Sequence, residues 1–385
     1  MRLLHTADWH VGKQLRGRSR LDEHRRVLGE IVQVATRAEP DVVLVVGDLF
    51  ESSAPVPDAQ RLVWDTLLAL RATGAHVAVV AGNHDSPFGF DAVRPLCAAA
   101  GITVLGHPAP PDHGGVVELD ARDGSRVRLA LLPFPSQRYA VRAEALWELT
   151  GSGAVGEYRE RIRRMVDRLC DDPPTDAVTV LAAHLTVMGA AFGGGERQAQ
   201  SVFDYHVPAS VFPSHLHYVA LGHLHRTQSV GGGAPAWYSG SPIQVDFGEE
   251  ADDKHVLVVD AEPGVPARVE AVRLTTPDRL QTLRGTLDEL RAAFEGVGDA
   301  WLRVVVTEAS RAGLADEVRA LAPRVVDVRI EAPATTARDN PAVARSGRSP
   351  HDLFVDYLAG EGVADDRLVA LFDRLLAERS EEQPA

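Results

Sequence analysis

Apolar positions along the first eighty residues follow two alternating rhythms. Residues 3–6 form a short apolar run, and residues 41–46 are a β-branched run that reads as a strand buried on both faces. Between them, residues 22–38 place Val27, Leu28, Ile31, Val32 and Ala35 on one side of a helix that Pro40 terminates. Residues 57–72 predict a second helix, with Pro57 near its start and Gly74 past its end, and residues 76–81 another strand. This βαβαβ order predicts an α/β fold with parallel strands. Apolar runs at 127–132, 177–183, 218–221, 236–239, 256–260 and 269–274 suggest a second half with more antiparallel character, giving two packed sheets with helices outside. Residues 106–115 and 189–199 read as surface loops.

The pattern changes after Leu274. Residues 288–294 and 314–321 read as helices, and 302–307 and 325–330 as strands. The expected division is a main domain at 1–274, a small α/β domain at 275–331, a linker at 332–349 and a helical tail at 350–385. In that tail Leu353, Phe354, Tyr357 and Leu358 line one helical face, while Leu368, Val369, Leu371, Phe372, Leu375 and Leu376 line another. Helices this short do not fold alone, so they pack either on the parent domain or on a partner.

Composition narrows the setting. Two cysteines, Cys97 and Cys170, match no zinc spacing and read as reduced thiols. The N-terminus reads as a strand rather than a signal peptide, and no apolar run spans a bilayer, so a soluble, cytoplasmic protein is expected. The formal net charge of −14 disfavours nucleic acid as a partner. Carboxylates gathered around divalent cations would weaken that argument, because the cations reverse the local field.

The residues that follow the apolar runs point to such a site. The first run leads into Asp8 and His10, and the next into Gly47-Asp48. Later runs lead into Gly82-Asn83-His84-Asp85, then His184, then Gly222-His223-Leu224-His225. In α/β sheets ligands gather outside the carboxyl ends of the strands, so these residues should share one cleft. Imidazole and carboxylate without thiolate suit Mn, Fe or Zn in a reactive site rather than structural zinc. Two such cations need a bridging carboxylate, for which Asp48 is the natural choice. They would activate water for in-line attack on phosphorus and offset the developing charge. Any one of these motifs has a bland reading as a turn or a satisfied polar residue; the ordered set does not.

This series resembles the calcineurin-like metallophosphoesterase superfamily over roughly residues 1–274. The resemblance implies a four-layer αββα sandwich. It also implies that Asp8, His10, Asp48 and His225 hold one cation, and Asp48, Asn83, His184 and His223 the other. His84 would lie beside the scissile phosphate, protonating the leaving oxygen or stabilising the transition state, with Asp85 orienting its ring. The opening Leu4-His5-Thr6-Ala7-Asp8-Trp9-His10, the run Gly47-Asp48-Leu49-Phe50, and Ser239-Gly240-Ser241-Pro242 with Phe247-Gly248-Glu249 are similar to the SbcD nuclease branch. Archaeal and eukaryotic relatives carry a His where this chain has Glu51, which favours the bacterial branch. That branch implies a Mn²⁺-dependent exonuclease and endonuclease for DNA repair and recombination. It further implies a homodimer within the complex, a small domain that places DNA, and a tail that docks on the SMC-like ATPase SbcC.

Several residues keep two readings. Arg16, Arg18 and Arg20, close behind the first motif, either hold a DNA backbone or belong to a solvated loop. Arg226 either faces substrate or forms a structural pair. Trp9 reads as a packing residue, since a stacking platform needs several aromatics. Two rival functions stand beside the nuclease: a phosphoesterase for small substrates, which would lack the linker and tail, and a scaffold for the ATPase, which would lack some ligands or His84.

Overall fold

In the computed structural model the described residues are 1–136, 158–171, 173–194, 196, 206–331, 351, 354–355, 357–358 and 367–373. Residues Met1–Glu331 form one compact unit and Ala332–Ala385 another.

The first half runs β1 (Arg2–Thr6), α1 (Leu21–Ala38), β2 (Val42–Val46), α2 (Pro57–Ala72), β3 (His76–Val80), α3 (Pro87–Ala99) and β4 (Ile102–Leu105). All five residues of β2 are buried, as a strand covered on both faces requires. The second half runs β5 (Val116–Asp120), β6 (Arg126–Leu132), α4 (Tyr158–Cys170), β7 (Ala177–His184), β8 (Tyr218–Gly222), β9 (Gln228–Val230) and β10 (Ala236–Tyr238). Then β11 (His255–Glu262) and β12 (Val265–Arg273) return to the first sheet, where β11 pairs antiparallel with β1. The two six-stranded sheets therefore have the orders β12-β11-β1-β2-β3-β4 and β9-β10-β8-β7-β6-β5.

Three apolar clusters account for the layering. Leu3, Leu44, Val46 and Val80 of the first sheet meet Leu129, Leu131, Val178 and Tyr218 of the second. Val27, Leu28 and Ile31 of α1 with Val63 and Leu67 of α2 cover the outer face of the first sheet. Ile162, Met165, Val166 and Leu169 of α4 cover the outer face of the second. The order is helix, sheet, sheet, helix.

The small α/β part comprises β13 (Leu280–Gly285), α5 (Leu287–Phe294), β14 (Trp301–Val306), α6 (Leu314–Leu321) and β15 (Val325–Ile330), with its three strands parallel. The strand β13 adds to the two strands expected there. A hairpin, Gln14–Leu15 with Arg18–Ser19, follows the first motif. Its Leu15 is buried with Phe247 and Leu280, which ties the hairpin to the small domain.

In the second unit Phe354 and Phe372 stack at 4.2 Å between ring centroids, and His351 pairs with Asp373 at 2.8 Å. Leu358 is buried, whereas Tyr357 and Leu368 are exposed. The two predicted faces thus meet partly on each other. Leu353, Leu375 and the linker at 332–349 lie outside the described residues. Among the described residues no helix is long and apolar enough to cross a membrane. Both cysteines are free and buried.

Candidate metal centre

Strand ends bring the predicted ligands together. β1 leads into Asp8 and His10, β2 into Asp48, β3 into Asn83 and His84, β7 ends on His184, and β8 leads into His223 and His225. The loops must turn sharply there: Asp8, His10, Asp48 and His223 all have positive φ, between 48° and 101°. That conformation is uncommon for residues with a Cβ and clusters at functional sites. Gly47 also has positive φ, and a Cβ on it would collide with the His184 ring. A Cβ on Gly82 would collide with the Asp48 carboxylate. Both glycines allow neighbouring ligand loops to approach.

Asp48 sits at the junction. Its ligand atoms and those of His10 and His84 lie within 4.8 Å of one another, as do those of Asp48, His184 and His223. His184 Nε2 is 3.4 Å and His10 Nε2 3.9 Å from Asp48 Oδ2. Asn83 Oδ1 lies 3.0 Å from His184 Nε2 and 2.9 Å from His223 Nδ1. His10 Nε2 and His225 Nε2 face each other at 3.1 Å. Asp8 is buried beside this group and accepts the backbone N–H of His223 at 2.9 Å. The backbone N–H of His84 donates to Asp48 Oδ1 at 2.7 Å, which fixes one Asp48 oxygen while the other faces the imidazoles.

Two divalent cations fit this donor set. The Asn83 oxygen and the imidazole nitrogens around it are lone-pair donors converging on one point, and Asn83 Nδ2 is buried without a hydrogen-bond partner. The charge pattern agrees. Burial pushes the Asp8 carboxyl above its usual range, with Asp48 adding to the rise and His184 and His225 opposing it. Burial works against a charged His184, but Asp48 and Asp8 raise it to about 9. Burial likewise opposes the Asp48 charge, yet His184, His10 and His84 hold its carboxyl well below the usual range. Cations held here would take the place of protons, because metal ligation requires these groups deprotonated.

Two expectations change. Asp85 does not orient the His84 ring. Its buried carboxylate accepts the backbone N–H groups of Leu49, Phe50 and Gly82 at 3.3, 3.0 and 2.9 Å, bracing the Asp48 loop against the Asn83 loop. The His84 ring is held instead through Nδ1, 2.8 Å from the Glu51 carbonyl oxygen. Arg20 is the second correction. Its guanidinium is fully buried, pairs with Glu23 at 2.7 Å and donates to the Gln244 carbonyl, so it cannot reach a DNA backbone. Arg16 and Arg18 are exposed on the hairpin, Arg16 lying 3.6 Å from Asp327. Arg226 pairs with Asp252 at 2.7 Å, the structural reading. Trp9 is fully buried and its indole N–H donates to Thr6.

The sequence pattern did not reveal Glu249 as part of the site. It is completely buried, with its Oε1 2.8 Å from His225 Nδ1. The only cue was its place in Phe247-Gly248-Glu249, because β9, β10 and a loop separate it from the ligand it touches.

Residues 1–227 match the model of the calcineurin-like phosphoesterase family. The chain is 32% identical to the SbcD component of the SbcCD nuclease of Bacillus subtilis, with 99% of each chain covered. The protein of the same name from Escherichia coli K12 is 30% identical, covering 80% of this chain and 78% of its own. That from Rhodobacter capsulatus is 33% identical, covering 77% and 75%. The chain belongs to the SbcD family of calcineurin-like phosphoesterases. In this SbcD-family chain the matched segment contains every predicted ligand from Asp8 to His225.

Proposed function

We propose that the protein is the nuclease component of an SbcCD-type complex, hydrolysing DNA phosphodiesters with two divalent cations, Mn²⁺ foremost, in cytoplasmic DNA repair and recombination. The observation that supports this most is the placement of Asp48 between His10 with His84 on one side and His184 with His223 on the other. Asp8, His10, Asp48 and His225 would hold one cation, and Asp48, Asn83, His184 and His223 the other. When bound, the pair supplies Lewis acidity for activating water and neutralising phosphate charge.

The chain's own groups do the rest. Asp48 joins the two halves of the site. His84, its Nδ1 turned to the Glu51 carbonyl, presents its other nitrogen to the phosphate and donates a proton or hydrogen bond at the leaving oxygen. Asp85 keeps the loops of Asp48 and His84 in register. On this reading residues 1–274 form the nuclease domain, 275–331 a cap that places DNA, and 350–385 the element that docks on the ATPase SbcC. Arg16 and Arg18 on the hairpin suit phosphate contacts, and the complex contains two copies of this chain.

The test is incubation of the purified chain with end-labelled hairpin DNA and Mn²⁺. Opening of the hairpin and release of nucleotides, both abolished in Asp48→Asn, is the expected result. Rapid turnover of bis-p-nitrophenyl phosphate or a cyclic nucleotide without any DNA cleavage would favour a small-substrate phosphoesterase instead.

A further inference from the structure

The chain contains only two lysines, Lys13 and Lys254, among its 40 basic residues. Both sit behind the candidate metal centre, each paired with a glutamate that faces a histidine. Lys254 is buried and pairs with Glu249 Oε2 at 2.6 Å, and Glu249 Oε1 faces His225 Nδ1 at 2.8 Å. Lys13 pairs with Glu51 Oε1 at 3.0 Å, and Glu51 Oε2 lies 3.1 Å from His10 Nδ1, close enough for an ion pair but out of line for a hydrogen bond. The far nitrogens of these imidazoles, His10 Nε2 and His225 Nε2, then converge at 3.1 Å. Two Lys–Glu–His relays thus approach one point from opposite sides.

We propose that Glu51 and Glu249 are positioning residues for one of the two cations, Glu249 by its hydrogen bond to His225 Nδ1 and Glu51 by its charge against His10 Nδ1, leaving each Nε2 to serve the ion, and each is paired behind with one of the lysines. This rests on the two-cation reading of the site. A carboxylate behind a ligating imidazole fixes its tautomer and orientation and raises its basicity. The second cation's histidines lack a carboxylate behind them: His184 Nδ1 donates to the Val46 carbonyl oxygen at 2.9 Å, and His223 Nε2 is buried without a hydrogen-bond partner. The two cation sites therefore differ in what stands behind their histidines.

The Glu249 relay is the more enclosed. Glu249 Oε2 also accepts the Val245 backbone N–H at 3.0 Å, and Lys254 also donates to the His225 carbonyl at 3.1 Å and the Ser241 hydroxyl at 3.0 Å. Every charge in it is paired, the condition under which buried ions are tolerated. A compact ammonium suits so tight a space, whereas a guanidinium would demand a wider, planar fork of acceptors. Glu51 lies nearer the rim, its side chain 30% exposed, and its main chain serves His84 as well. One residue thereby touches both a ligand and the group proposed beside the phosphate.

Mn²⁺ binding to the full chain, resolved into its two sites by calorimetric titration and by the electron paramagnetic resonance of the coupled pair, tests this. Glu51→Gln and Glu249→Gln are compared with wild type. Because Glu249→Gln strands a buried ammonium, the double variant Glu249→Gln, Lys254→Met supplies a charge-neutral version that keeps the fold. Each variant is expected to weaken one site by about 10–100-fold while the other stays within about 2-fold, and the coupled-pair signal to return at higher Mn²⁺. Equal weakening of both sites, or no change at either, overturns the inference while leaving the two-cation reading intact. A wild-type chain that binds fewer than two Mn²⁺ overturns the reading and the inference together.

Discussion

At the scale of single residues, the site depends on backbone that can turn tightly and on side chains that can approach closely. Gly82 has no room for a methyl group beside Asp48. Gly82→Ala is therefore expected to displace the Asp48 carboxylate, weaken Mn²⁺ binding and lower stability by about 1–3 kcal/mol, read by calorimetry with and without metal. His84→Gln removes the group proposed to act at the leaving oxygen but no predicted ligand. It should bind two Mn²⁺ and lose about 10²–10⁴-fold in strand cleavage; a variant with full activity would remove His84 from the mechanism. The convergence of the predicted ligands was legible in the sequence because each stands directly after a buried strand, where the fold gathers them. Glu249 and Asp85 were harder for the opposite reason. Glu249 acts across an intervening pair of strands, and the bonds that Asp85 makes run to main-chain N–H groups, which no side-chain pattern reveals.

Among the elements, β1, α1, β2, α2 and β3 followed their apolar periodicity closely. The helix α3 did not announce itself, because Gly89 and Pro95 interrupt its pattern. Likewise β13 has buried ends around a middle in which exposed Gln281 and Arg284 flank half-buried Thr282 and Leu283, so it lacks the apolar run of the core strands. Contacts between elements yield two predictions. Leu15 of the hairpin is buried against Phe247 and Leu280, so Leu15→Ala should cost about 2–5 kcal/mol. It should also slow DNA cleavage more than hydrolysis of bis-p-nitrophenyl phosphate, which needs no cap; equal slowing would argue against coupling between hairpin and cap. Glu30 of α1 accepts hydrogen bonds from the backbone and hydroxyl groups of Thr275 and Thr276. Burial acts to raise its carboxyl, but these four donors outweigh it and leave it lower than the usual value of 4.5. A carboxyl depressed in the folded state stabilises above its unfolded value and loses that contribution as the pH falls below it. The melting temperature of Glu30→Gln should therefore fall below wild type at pH 7, with the gap closing as the pH drops beneath about 4.

For the whole molecule, Met1–Glu331 is one compact unit holding every predicted ligand, and Ala332–Ala385 is another. A chain ending at Glu331 should fold, bind two Mn²⁺ and cut simple DNA substrates, yet fail to co-purify with the ATPase SbcC. Co-purification at normal stoichiometry would place the docking element elsewhere. The central claim is that distant strand ends share two cations around Asp48. Anomalous diffraction from crystals grown with Mn²⁺ tests it most directly. Two peaks about 3.5–4 Å apart, with Asp48 between them, are the result the account predicts. A single peak, or ions bound away from Asp48, would contradict it.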